Sequence, residues 1–137
     1  MSTLIHSYWL PAIRAEIELH GGNYSRAIEL LRVAGPYELA DTPSPLTPVY
    51  IRAEALLRAS QGAAAAAEFR KILEHRGIVH NSPVGALGHL GLAHAYSVSG
   101  ETAKARNSYR DFFDLWKQAD TDIPVLRHAK NEFQKLQ

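Results

Sequence analysis

Cysteine is absent from the 137 residues, and that one absence excludes disulfides, thiolate metal ligands and cysteine nucleophiles together. It agrees with a reducing compartment, so a cytoplasmic setting is the expectation. Surplus charge is lacking as well. Fifteen lysines and arginines stand against 14 aspartates and glutamates, spread along the chain, for a formal net charge of +1. Such a balance provides no strong field to gather a phosphate backbone or anionic lipid, and nucleic acid is not an expected partner. No apolar run approaches the roughly 18 to 20 residues that span a bilayer, and no basic stretch followed by an apolar core opens the chain. Membrane insertion by this segment is therefore not expected. Alternating β-branched runs are missing too, which leaves almost no strand to predict.

What the chain has is alanine, together with proline and glycine gathered in a few places. Its length suits one domain, 1–137, and a domain of this size buries roughly two thirds of the surface of its unfolded chain. Helices separated by punctuated turns account for the pattern best. "GPYELADTPSPLTP", residues 35–48, carries four prolines and reads as a long connection. "HRGIVHNSP", residues 75–83, reads as a second, and "DTDIP", residues 120–124, as a third, with Asp122 a candidate cap. Between them the apolar spacing predicts helix pairs over 4–20 with 23–34, 46–59 with 62–75, and 83–98 with 101–117. A last helix is predicted over 124–136, where Val125 or Leu126, Ala129, Phe133 and Leu136 recur at helical intervals. Pro11 either kinks the first helix or sits in its first turn, leaving residues 2–8 as a less regular lead-in.

The pairs share a frame. In "LAHAYSVSGETAKARNSYRDFF", residues 92–113, His89, Leu92, Ala93 and Tyr96, followed by Ala105 and Tyr109, match the spacing W-x2-L-G-x2-Y, then A-x3-F. Alanine replaces the glycine, tyrosine the phenylalanine, and histidine the tryptophan. Moved upstream, the frame selects Ala53, Leu56, Ala65, Phe69 and Ile72, and before them Ala15, Ala27, Leu31 and Ala34. The alanines Ala27, Ala65 and Ala105 are 38 and 40 residues apart, with the surplus over a 34-residue repeat falling in the proline-containing connections. Glu18 stands where an aromatic is expected. Small residues at these positions allow two helices to approach closely, so Ala93 is expected to face Ala105 while Tyr96, Tyr109 and Phe112 fill the flanks.

On these residues the chain resembles the tetratricopeptide repeat family over nearly its full length. The segments "SYWLPAIRAEIEL", "AAAEFRKILEHRGIVHNSPVGALGHLGLAHAYS" and "DFFDLWKQADTDIPVLRHAKNEFQKLQ" look, more narrowly, like the C-terminal repeat region of bacterial multidomain proteins. In those proteins the region follows a eukaryotic-like serine/threonine kinase domain or a winged-helix DNA-binding domain. The resemblance implies an all-α, right-handed superhelical stack of three helical hairpins, about 4–38, 46–76 and 83–118, closed by a capping helix at about 124–136. It further implies a piece of a longer signalling or regulatory protein, with Met1 an added start and the parent protein free to be membrane-anchored. It brings no kinase activity with it, because the glycine-rich loop, the lysine-bearing strand, the catalytic-loop aspartate and an Asp-Phe-Gly element are all missing. His75-Arg76-Gly77 lacks the aspartate of the His-Arg-Asp pattern.

Such arrays bind peptides or partner helices on the concave surface formed by the first helix of each pair. Carried over residue by residue, that surface is Trp9, Ala12 and Glu16, then Tyr50, Glu54 and Arg58, then Leu90, His94 and Ser97. The lysine and asparagines of the carboxylate-clamp subtype are missing from these positions, so an acidic chaperone tail is not the expected ligand. The expected function is a noncatalytic protein-binding scaffold. The alternative is a structural end of a longer solenoid, with a lead-in face around Leu4, Ile5, Tyr8 and Trp9 packing on its own upstream domain or on another copy.

Other constellations read as structure. His75 with His80, and His89 with His94, are five apart, about 140 degrees around a helix, so neither pair shares one face as zinc-binding pairs do. No metal or cofactor is expected. Gly85, Gly88 and Gly91 lack the strand and spacing of a dinucleotide loop and read as close packing. Asp120-Thr121-Asp122 lacks the ligand spacing of a calcium loop. Asn23-Tyr24-Ser25, formally a glycosylation acceptor, reads as structural in the absence of a secretory signal. No set of nucleophile, base and orienting group is found, so an enzyme is not expected.

Overall fold

Three turns repeat one backbone geometry, and they organise the molecule. In the computed structural model, which describes residues 2–39, 45–75, 83–117 and 123–137, a left-handed residue ends one helix at Gly22 (φ 83°), Ser60 (φ 62°) and Gly100 (φ 76°). The amide of the next residue then reaches back five positions: Asn23 to the Glu18 carbonyl at 2.8 Å, Gln61 to Leu56 at 2.9 Å, and Glu101 to Tyr96 at 2.9 Å. This is the hydrogen-bond pattern that satisfies the orphan carbonyls at a helix C-terminus. The same three residues start the next helix, accepting the amides of Ala27, Ala65 and Ala105 at 3.0, 2.9 and 3.0 Å. Glu18, the departure from the aromatic pattern, takes a local role here: its carboxylate accepts Asn23 Nδ2 at 2.8 Å and braces the first turn.

Every regular element among the described residues is a helix. α1, Ser2–Leu4, leads through a π-helical turn, Ile5–Trp9, into α2, Leu10–His20. Pro11 lies in the first turn of α2 and has no N–H to donate. The ladder steps to five residues just before it, with the Leu10 amide donating to the Ile5 carbonyl, and the helix continues through the proline. α3, Tyr24–Leu30, tightens into a 3₁₀ turn, Arg32–Tyr37, ahead of the proline-rich connection. α4, Thr47–Arg58, pairs with α5, Gly62–Glu74; α6, Pro83–Val98, pairs with α7, Thr102–Leu115; α8, Pro124–Lys135, ends the fold. Residues 40–44, 76–82 and 118–122, which include His80, Asp122 and most of the three expected connections, lie outside the described residues.

Each helix from α2 to α8 packs on its successor, and α4 also packs on α2 and on α6. The frame positions make these contacts. Ala15, Ala27, Leu31, Ala34, Ala53, Ala65, Phe69, Ile72, Ala93 and Ala105 are all fully buried. Three apolar clusters result. Ala12, Ala15, Leu19, Ala27, Leu31, Ile51 and Ala55 join α2 and α3 to α4. The middle cluster sets Ala65, Phe69 and Ile72 of α5 against Leu92, Ala95 and Tyr96 of α6. The third gathers Leu90, Ala93, Tyr109 and Phe112 under Leu126 and Ala129 of α8. Ala93 and Ala105 fall in different clusters: Ala105 in the middle one with Tyr96 and the α5 residues, Ala93 in the third with Leu126 and Ala129 of α8.

The glycines of α6 are helix-packing positions. A Cβ on Gly91 would collide with the Phe69 ring, and one on Gly88 would press on Ile72 and Leu73 at 3.3 Å. Tyr8, expected on an exposed lead-in face, is instead fully buried, with its hydroxyl accepting the Thr47 amide at 3.3 Å. It ties the lead-in to the start of α4. Beyond it, Arg52 of α4 bridges Glu38 at 2.7 Å and Glu68 of α5 at 2.8 Å, all three side chains being mostly buried. That network binds the residues after the 3₁₀ turn to the second helix pair.

Candidate functional site

Glu16 of α2, Glu54 of α4, His94 of α6 and Glu132 of α8 are 38, 40 and 38 residues apart. The first two intervals are those of the three turns, so these residues occupy the same position in successive first helices, and α8 continues the series. Equivalent positions on neighbouring parallel helices form a row. Glu54 interacts electrostatically with Glu16 on one side and His94 on the other, and His94 Nε2 lies 2.6 Å from the Glu132 carboxylate. The same Glu132 oxygen accepts the Tyr109 hydroxyl at 2.7 Å. Burial first, and then that carboxylate, push the Tyr109 hydroxyl up, so it stays a donor across the ordinary pH range.

One turn toward the N-terminus of α4, Tyr50 is half-buried, edge-on to Phe69, with its hydroxyl against the Glu54 carboxylate. Burial and the nearby Glu54 charge push that hydroxyl well up. One turn toward the C-terminus stand Arg58 and, in α8, Lys135, both exposed. Beside Lys135 a cavity of about 500 Å³ opens on this face. Leu57, Val98, Leu136 and the Tyr109 ring line its apolar part; His94, Ser97, Glu132 and Lys135 form its polar part. The Ser97 hydroxyl donates to the Ala93 carbonyl at 3.0 Å.

Five of the residues named from sequence thus converge: Glu16, Tyr50, Glu54, Arg58 and His94, with Ser97 at the cavity. Ala12 and Leu90 do not present themselves to a partner, because small and branched apolar groups at those positions are drawn into the first and third clusters, 3% and 7% exposed. Trp9 is half-buried in the π-helical turn, edge-on to Tyr8 at 5.0 Å. Sequence reasoning missed Leu57, Val98, Glu132, Lys135 and Leu136. The signal that reaches Glu132 is the repeat interval itself, applied once more beyond His94, and it places α8 on the face as well as at the end of the fold. Tyr109, read as scaffold, is both a core residue and a donor to the face.

The outlying groups form no further centre. Among the described residues no three histidine, aspartate or glutamate side chains come together as a metal site. His89 is buried against its neighbours, and His128 is exposed on α8. No helix among the described residues is long and apolar enough to cross a membrane. Comparison with family models, curated proteins and solved structures gives no significant match to this chain. The face therefore has to be read from its own chemistry: an apolar cavity, rimmed by hydrogen-bonding and charged groups.

Proposed function

We propose that the chain is a noncatalytic protein-binding module of the tetratricopeptide type, a right-handed stack of three helical hairpins closed by α8, serving a larger signalling or regulatory protein in the cytoplasm. A peptide or partner helix is held on the face shared by α2, α4, α6 and α8. The observation that carries this reading is the row Glu16, Glu54, His94 and Glu132, one residue per first helix, running beside an apolar cavity. The three turns of one geometry support the repeat architecture. Since the chain has no cysteine, a single one can be placed at will. A benzophenone on Ser97→Cys should crosslink a partner from the source cells, whereas the same probe on Asp111→Cys, an exposed position on α7, should not. Equal adducts from both sites, or none from Ser97→Cys, would refute the groove.

A second reading has its own observation. Ile13 and Ile17, one turn apart on α2, are 54% and 66% exposed, and Leu4 and Ile5 extend the apolar surface in the lead-in. The outer face of α8, by contrast, carries Arg127, His128, Lys130, Asn131 and Gln134. One end of the molecule is dressed for water and the other is not, as in the terminal part of a solenoid that packs on an upstream domain or on a second copy.

A further inference from the structure

We propose that the occupant of this groove is a protein segment in which a large apolar side chain is flanked by lysine or arginine; the proposal rests on the groove reading above and adds the chemistry of the partner. The apolar cavity between Leu57, Val98, Leu136 and the Tyr109 ring takes the apolar side chain, its volume of about 500 Å³ falling in the range of pockets that bury bulky groups. The charge around the cavity selects what lies beside it. Carboxylates recur at one position of the first helices, Glu16, Glu54 and Glu132, and they are not equally satisfied. Glu132 accepts from His94 and Tyr109, and Glu16 has His20 at 3.0 Å. Glu54 is half-buried, has only the Tyr50 hydroxyl against it, stands near a second carboxylate, and among the described residues has no cation within ion-pair distance. Arg58 reaches it only through space, from one turn further along α4.

A buried carboxylate left in this state destabilises the free protein, and the arrival of a cation removes that cost. A lysine or arginine entering beside the cavity meets Glu54 and Glu16 together. An aspartate or glutamate at the same point meets two like charges, so an acidic segment is rejected by the row that attracts a basic one. Exposed Arg58 and Lys135, one turn away, leave the polar groups of the segment's other flank a place to rest, and Arg58 offsets only part of the cost of the Glu54 charge.

The test uses three fluorescein-labelled octapeptides, alternating Lys-Leu, Glu-Leu and Lys-Ser, titrated by anisotropy at about 0.15 M salt, where loose surface attraction is screened beyond about 8 Å. The Lys-Leu peptide should bind at least about tenfold tighter than either of the others, and Glu54→Gln should remove most of that preference, as loss of a partly buried ion pair does. Leu57→Ser should weaken the Lys-Leu and Glu-Leu peptides alike. Circular dichroism melts establish that each variant is folded. Equal affinity for Lys-Leu and Glu-Leu, or an unchanged affinity in Glu54→Gln, overturns the basic partner while a Leu57→Ser effect preserves the groove. Failure of all three peptides to bind at about 1 mM overturns the groove with it.

Discussion

Burial raises the Glu54 carboxyl above its ordinary range, against the opposing pull of Arg58, His94 and the Tyr50 hydroxyl, with Glu16 adding to the rise. The sign of its effect on stability follows. A carboxyl with a raised folded-state pKa binds its proton more tightly in the native state, so it costs stability above that pKa and ceases to do so once the pH has fallen below the unfolded value. Glu54→Gln should therefore raise the melting temperature at pH 7, with the advantage over the parent shrinking as the pH falls through the carboxylate range. A variant less stable than the parent at pH 7 would contradict this. Under the proposed basic partner, stability and binding move in opposite directions at this residue, as at sites kept for function. Gly91 makes the complementary point about packing. With a Cβ on Gly91 obstructed by Phe69, Gly91→Ala should cost about 1–3 kcal/mol by urea denaturation, the scale of overpacking in a core. Phe69→Leu in the same chain should recover part of it, and simple additivity of the two changes would show that they do not touch.

At the scale of elements, the three helix-pair turns are chemically unequal. Glycine fills the left-handed position at Gly22 and Gly100, while Ser60 bears a Cβ there. Ser60→Gly should stabilise the fold by about 1 kcal/mol, since a left-handed conformation costs an L-residue roughly that much. A lowered melting temperature would show that Ser60 makes contacts outweighing the strain. The Arg52 network is an inter-element device. Burial lowers the Arg52 guanidinium's affinity for its proton, and the Glu68 and Glu38 carboxylates more than restore it. Arg52→Met should cost about 3 kcal/mol by leaving two mostly buried carboxylates facing each other, and adding Glu38→Gln with Glu68→Gln should recover most of that loss. Urea titration of the single and triple variants checks both statements. The helix pairs themselves were legible in the sequence because alanine recurs at the contact, at intervals of 38 and 40 residues, and glycine marks two of the turns. The π-helical turn before Pro11 was legible only as an irregularity, since a proline tells where an amide is missing and not how the ladder will step around it. The partition of Ala93 and Ala105 into separate clusters was not legible, because spacing along a helix does not say which of two neighbours a buried face will meet.

For the molecule as a whole, the exposed pair Ile13 and Ile17 provides the test of the second reading. If the α2 face packs on a second copy, sedimentation should show a dimer that Ile17→Glu returns to monomer, with Leu115→Glu, an equally exposed apolar position on α7, as the unaffected control. A monomer in both parent and variant would leave self-association without support. By itself the sequence determined that the molecule is helical, where its pairs turn, and that the frame alanines with Phe69, Tyr96, Tyr109 and Phe112 are buried, because those properties are set by local periodicity and by side-chain volume. The resemblance read from it also brought Glu16, Tyr50, Glu54, Arg58 and His94 to notice, as positions carried over from the concave surface of that family. Tertiary structure alone decided that Ala12 and Leu90 sink into helix contacts, that α8 contributes Glu132 and Leu136 to the face it also terminates, and that Glu54 stands without an ion-pair partner. Those outcomes depend on how far each helix is rotated against its neighbours, and that rotation is fixed by the packing of side chains distant in sequence.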